Sequence, residues 1–248
     1  MKVLQIDTTY NAAPTGRFAS GIGDFLISHG HESFFGYGRT EKKSRSVPIK
    51  IGDKTSILMH ILNTRLFDRH GFGSKNATRL FIDQIREINP DIVHLHNIHG
   101  YYINVEILFD YLHKAGKPVV WTLHDCWSFT GHCSYFDRFE CYKWKEGCYK
   151  CPAKKLYPSS WFVDNSRKNY RNKKELFTSP DRLVIVTPSL WLFRHAEQSF
   201  LNRYPLKVIN VGIDLEKFRQ VDSREIRDKY DITGKHIILG VASVWSQR

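Results

Sequence analysis

A doubly wound parallel sheet with helices on both faces is the α/β architecture this sequence predicts, and three observations predict it. Short runs rich in Val, Ile and Leu, such as 91–95 and 119–123, have the two-sided apolar character of strands buried in a parallel sheet. Helix-length segments separate these runs, so strand and helix alternate from end to end. No internal repeat and no low-complexity tract breaks the alternation.

The elements come in order. Residues 3–6 read as the first strand, 18–29 as the first helix, and 32–37 as a second strand by length and aromatic content. The stretch 39–54 is polar, basic and broken by Pro48, which reads as a mobile loop. Two helices are expected at 55–68 and 76–89, the second carrying Leu80, Ile85 and Ile88 and closed by Pro90. The Asn89-Pro90 turn introduces the strand 91–95, and a helix at 104–114 leads through Gly116 to the strand 119–123. Strands are expected at 183–186 and 207–209, with a helix at 191–200 between them. Beyond Gly212-Ile213-Asp214, a short helix at 224–230 and a fresh strand at 236–242 read as the opening of a second domain. The expected division is therefore 1–222, with a Cys-rich insert at 126–152, and 223–248, a linker and the first elements of a truncated domain.

With 248 residues, 42% of them hydrophobic, the chain can bury one full core. No apolar run reaches the ~18 residues of a membrane span, and Met1-Lys-Val-Leu-Gln-Ile-Asp7 reads as a strand, not a signal peptide. The expected compartment is the cytoplasm, where five clustered cysteines bind metal more often than they form disulfides. The formal net charge is +12, and residues 138–178 hold eleven Lys or Arg against four Asp or Glu, a net of +7. Such density attracts phosphate on nucleic acid, anionic lipid or nucleotide-linked substrates; a solvated basic face without a partner is the plain alternative.

Three motifs carry candidate chemistry. Thr15-Gly16-Arg17-Phe-Ala-Ser-Gly21-Ile-Gly23 reads as a glycine loop feeding a helix, where backbone N–H groups approach an anion or sugar. It does not match G-x-G-x-x-G, so dinucleotide binding is not implied; tight helix–strand packing is the alternative. In Val93-His94-Leu95-His96-Asn97-Ile98-His99, alternation puts His94 and His96 on one face, and His96 or Asn97 is placed to meet a substrate hydroxyl. His124-Asp125 ends the strand 119–123, where open α/β sheets bind ligands, and joins a group that titrates near neutrality to a carboxylate. A buried, hydrogen-bonded histidine is the competing reading.

Cys133, Cys141, Cys148 and Cys151 are separated by seven, six and two residues, and the final C-x-x-C is a good metal half-site. A tetrahedral structural zinc site is the expectation; buried free thiols, or bonds formed on oxidation, are the alternative, with Cys126 left over, and an iron–sulfur centre comes third because nothing else in the sequence points to redox chemistry.

At these residues the chain resembles the N-terminal half of a glycosyltransferase family 4 enzyme, of the bacterial polysaccharide (colanic-acid or capsule type) group. The most specific part is Trp121-Thr-Leu-His124-Asp125-Cys-Trp127-Ser-Phe-Thr-Gly131-His-Cys133 with Trp144, Gly147-Cys148 and Cys151-Pro152. Pro90-Asp-Ile-Val-His-Leu-His96, Thr187-Pro-Ser189-Leu-Trp191 and Gly212-Ile-Asp214 with Phe218 support it. The resemblance implies one Rossmann-like half of a two-domain GT-B enzyme, with acceptor bound in this half and a nucleotide diphosphate sugar in the other. It implies transfer with retention and no catalytic metal. It places His124 near the donor sugar with Asp125 beside it, puts Gly21 and Gly23 near the donor phosphates or sugar, and makes Ser189 and Arg248 further binding candidates. The pattern departs at Val211, where the family has Asn before Gly-Ile-Asp, and the family's paired glutamates would lie past Arg248; the chain alone is expected to be inactive.

The expected parent activity is sugar transfer to a polysaccharide or lipid-linked oligosaccharide at the inner membrane face. The basic 138–178 region, with Trp144, Tyr157, Trp161 and Phe162, would meet the anionic membrane or the acceptor's diphosphate. The rival class is a zinc-stabilised nucleic-acid-binding protein using the same segment. It leaves the parallel sheet and His-Asp without a role, so no nucleic-acid partner is expected.

Overall fold

The computed structural model describes residues 1–241. Its strands are β1 (Lys2–Asp7), β2 (Glu32–Tyr37), β3 (Val47–Lys50), β4 (Ile92–Leu95), β5 (Val119–Thr122), β6 (Leu183–Thr187) and β7 (Leu206–Val208). They form one sheet in the order β3-β2-β1-β4-β5-β6-β7, and every pairing is parallel. This is a Rossmann-like, doubly wound sheet. The winding reverses between β1 and β4, where Ile6 pairs with Leu95. At such a switch point the connections leave in opposite directions and open a crevice at the carboxyl ends.

The helices that cross over are α1 (Ala13–Ser28), α2 (Lys54–Phe67), α3 (Lys75–Ile88), α4 (Val105–Ala115), α5 (Ser166–Phe177) and α6 (Leu190–Glu197). Their starts are chemically specified. Pro14 sits in the first turn of α1, Asp53 and Ser56 close a capping box on α2, and Asn104 caps α4 by accepting from Ile107 N–H at 3.0 Å. The main core lies between β4–β6 and α4–α5. Trp121, Phe109 and Phe177 meet there with ring centroids 4.6–5.5 Å apart, contacts worth ~0.5–1.5 kcal/mol each beyond area burial.

Several expectations change. The segment 39–54 contains a strand, β3; Pro48 is tolerated because β3 is the sheet's edge and needs no outward ladder bond. The supposed glycine loop is the body of α1, which starts five residues earlier than expected. The helix expected to reach residue 200 ends at Glu197, and a 3-10 turn comes after it at Phe200–Arg203. The basic region contains a full helix, α5, that its polar composition conceals.

Met1–Val211 is one compact unit and Gly212–Arg248 a second. In the second, α7 (Arg224–Lys229) matches the expected short helix. The strand expected at 236–242 does not form over 236–241: that stretch has no partner strand, and Ile238 is 99% exposed. Residue 242 and Arg248 lie outside the described residues.

Candidate active site

The crevice at the switch point is lined by the segments that leave the carboxyl ends of β1, β4 and β5. His96 and Asn97 come directly after β4, His124 and Asp125 just after β5, and all four border one small cavity with His99 and Trp127. His96 is buried; its Nε2 lies 3.2 Å from Gln5 Oε1 and its Nδ1 3.3 Å from His124 Nε2. Gln5 Oε1 only accepts, so His96 carries its proton on Nε2 and presents a lone pair at Nδ1. His124 therefore donates from Nε2, and its Nδ1 is left as an acceptor. The two rings stack with centroids 5.6 Å apart, and Phe18 stands edge-on to both.

Burial holds these imidazoles neutral. It pushes His124 down to about 4, with the Asp125 charge opposing, and pushes His96 well below its ordinary value. His94, on the same face as His96 with ring centroids 4.1 Å apart, is pushed by burial to about 4 and bonds Thr122 Oγ1 at 2.8 Å. It backs the site instead of lining the cavity.

Asp125 turns to a different histidine. Its Oδ2 is 3.0 Å from His99 Nε2, and its Oδ1 accepts from Trp127 N–H at 2.9 Å. Burial alone would raise this carboxyl, but the His99 charge and these contacts outweigh it and hold Asp125 below its ordinary value. His99 Nδ1 lies 3.4 Å from the Tyr157 hydroxyl. Adjacent in sequence, His124 and Asp125 thus belong to separate histidine pairs.

Two β1 residues complete the site. Gln5 orients His96, and Asp7, fully buried at the strand's end, accepts from Thr15 Oγ1 at 2.9 Å; Thr15 also receives Asn97 Nδ2 at 3.4 Å. Burial raises Asp7 to about 7, against the hydrogen bonds from Thr15 and nearby backbone. The sequence signal existed: Gln5 and Asp7 are polar residues two apart, interleaved with Leu4 and Ile6, hence on one face.

The other candidates stand elsewhere. Gly21 and Gly23 lie within α1, so their backbone is helical and does not line a loop. Gly21 has open space around its missing side chain, whereas a Cβ on Gly23 would stand 2.3 Å from Ser46 Oγ and 2.9 Å from Ser33 Oγ. Gly23 therefore permits close packing against the sheet. Ser189 caps α6, accepting from Leu192 N–H at 3.3 Å.

The insert forms the wall behind Asp125. Cys133, Cys141, Cys148 and Cys151 converge on a second small cavity with His132, and all five cysteines are unbridged. Among the described residues no three His, Cys, Asp or Glu side chains are grouped as a ligating set. Burial raises the Cys148 thiol to about 12 and raises Cys126 further; the Cys133 hydrogen bond and then burial raise Cys151. Trp144, expected at the surface, is buried against Phe129 and Phe136 with ring centroids 5.0 Å apart. Trp161 and Phe162 are exposed, at 57% and 72%.

Lys173 was concealed in the basic run. It is fully buried, donates to Trp127 O at 2.7 Å and Thr130 O at 3.1 Å, and sits 3.4 Å above the Trp127 ring. It ties α5 to the loop that carries Asp125.

A doubly wound sheet binds ligands in the crevice at its switch point, and sequence comparison narrows the class. Residues 16–217 match the model of Glycosyltransferase Family 4, and the chain belongs to that family. It is 30% identical over 232 residues to the "Putative colanic acid biosynthesis glycosyl transferase WcaC" of Escherichia coli (strain K12). That match covers 87% of this chain and 55% of the relative, so the chain spans about half of the relative's length. Looser likenesses are a glycosyltransferase from Rickettsia africae ESF-5 (14% identity, TM-score 0.47, 93% of this chain and 49% of that one), and a structure described as "Trehalose-6-phosphate from E. coli bound with UDP-2-fluoro glucose" (12%, 0.45, 94% and 55%).

Proposed function

We propose that this chain is the acceptor-side half of a GT-B glycosyltransferase that moves a sugar, with retention, from a nucleotide diphosphate sugar to a polysaccharide or lipid-linked acceptor. The observation that carries the reading is the Gln5–His96–His124 chain at the switch-point crevice of a family 4 sheet. Neutral His124 offers Nδ1 as an acceptor for a sugar hydroxyl, and its tautomer is fixed by two buried partners. Asp125 acts beside it, fixed on His99 and the Trp127 N–H, and lends negative potential to a site where positive charge develops on the sugar. Asn97, held by Thr15, is a second contact for a hydroxyl.

The acceptor's diphosphate, or the anionic inner face of the membrane, is assigned to the surface bearing Tyr157, Trp161 and Phe162. The loop there is fastened to α2 by the Trp161 N–H bond to Arg65 O at 2.7 Å. No helix among the described residues is long and apolar enough to cross a membrane. The WcaC relative's printed role supports polysaccharide assembly as the setting. The test is release of nucleotide diphosphate by the full-length protein against UDP-, GDP- and TDP-sugars, with lipid-linked saccharides as acceptors. Release from one donor that requires acceptor supports the reading; silence from the folded protein across donors and acceptors refutes it.

A further inference from the structure

The cysteine cavity carries an inference independent of the transfer reaction. Four side chains of one chemical kind line it, from both sides of Trp144: Cys133 and Cys141 before it, and Cys148 and Cys151 after it. Thiols alone do not explain their surroundings. His132 is buried beside them, held at Nδ1 by Asp68 Oδ1 at 2.5 Å, yet its Nε2 has no partner. Asp68 is itself fixed, as its Oδ2 accepts from Asn165 N–H at 2.9 Å. A carboxylate-fixed histidine with an unpartnered outer nitrogen beside thiols can donate to a metal-bound thiolate.

Charge makes the same point. Lys173 is fully buried, and among the described residues no carboxylate lies within ion-pair distance of it; its partners are two carbonyls and a ring. A buried cation calls for a nearby anion. Burial pushes Lys173 down to about 7, and of the groups that oppose it the Cys148 sulfur comes first, ahead of Asp125 and Cys133. Gly131 N–H already points at Cys148 Sγ at 3.1 Å, the type of bond that steadies a metal-bound thiolate.

We propose that Cys133, Cys141, Cys148 and Cys151 bind one Zn²⁺ as thiolates, with His132 donating from Nε2 to the cluster and Lys173 offsetting its charge. Four S–H protons pass to solvent as four Zn–S bonds form, leaving a centre of net charge −2 facing His132 and Lys173. The thiols, which are not a ligating set as they stand, turn inward by side-chain rotation; Cys133 and Cys151 give up their mutual hydrogen bond. Four soft ligands in a closed shell select zinc over magnesium or calcium and leave no open position, so the metal is structural. It clamps the insert that, through Lys173, supports the Trp127–Thr130 turn beside Asp125.

The test is metal analysis of the full chain, expressed with zinc, purified under reducing conditions and dialysed. One zinc per chain is expected, released in step with mercurial titration of the thiols. Co²⁺ in its place should give thiolate charge-transfer bands and tetrahedral ligand-field bands. His132→Gln should weaken zinc retention against a chelator about 10–100-fold. Absence of stoichiometric zinc, with no thiolate–cobalt bands from the unmodified chain, overturns the site. Zinc retained undiminished in a folded Cys148→Ser, Cys151→Ser double variant does so equally. Unchanged retention in His132→Gln overturns the histidine's part. None of these readouts depends on sugar transfer.

Discussion

At the scale of single residues, the proposed function separates the site into groups that would touch substrate and groups that hold them. It makes His124 one of the first kind, so His124→Ala in the full-length enzyme should lower turnover roughly 10²–10⁴-fold, with little change in melting temperature; wild-type turnover would remove it from the mechanism. Asp7 is of the second kind and has a pH signature. Its folded value of about 7 lies above the ordinary 3.8, so its stabilising contribution is full below 3.8. Between 3.8 and 7 the unfolded chain ionises while the folded carboxyl keeps its proton, and stability declines with rising pH. Each unit of that difference is worth about 1.4 kcal/mol. Asp7→Asn should therefore raise the melting temperature more at pH 8 than at pH 5; an equal change at both would show that Asp7 ionises freely in the fold. His124 and Asp125 were legible in the sequence as a pair at a strand end. Their partners were not, because His96, His99 and Gln5 reach them across the sheet, and no local pattern reveals which histidine meets which.

At the scale of elements, α1 shows where local reading fails. Glycines at 16, 21 and 23 suggest a loop by propensity, yet Pro14 starts a helix and the tight approach of Gly23 to the Ser33 and Ser46 hydroxyls needs its missing side chain. Gly21→Ala, facing open space, should stabilise by up to about 1 kcal/mol as a helix substitution. Gly23→Ala should cost about 1–3 kcal/mol through overpacking. Urea unfolding of both variants checks the contrast, and equal shifts would argue against the packing role. Elements that announced themselves were those with strong periodicity or two-sided apolar runs, such as α3, β4 and β5. Those that did not were β3, whose edge position accommodates proline, and α5, whose exposed face is so basic that Tyr170, Lys173 and Phe177 on its buried face are hard to pick out.

At the scale of the molecule, the excess positive charge is concentrated in one region. Residues 138–178 hold most of it, beside exposed Trp161 and Phe162. Vesicles containing anionic lipid should co-sediment the chain, neutral vesicles should not, and Trp161→Ala with Phe162→Ala should weaken the binding. Equal binding to both vesicle types would remove the membrane from the proposal. The parallel sheet was legible because alternation along the whole chain specifies it. That the cysteines stand behind His124 and Asp125 was legible as well, but the ordering of that wall was not, since the insert has little regular structure and is held by side-chain contacts such as those of Lys173.

The order in which the chain is threaded through the sheet has a kinetic consequence. Gln5 meets His96 across 91 positions and His96 meets His124 across 28, so the proton-bearing chain at the crevice closes only after distant segments are joined. Loop closure over such spans is slow compared with helix formation. During refolding, helical signal should return first, and the protected His96 and His124 ring resonances should return only in the slowest phase. If they return with the helices, the crevice assembles from local structure before the strands β1, β4 and β5 have come together.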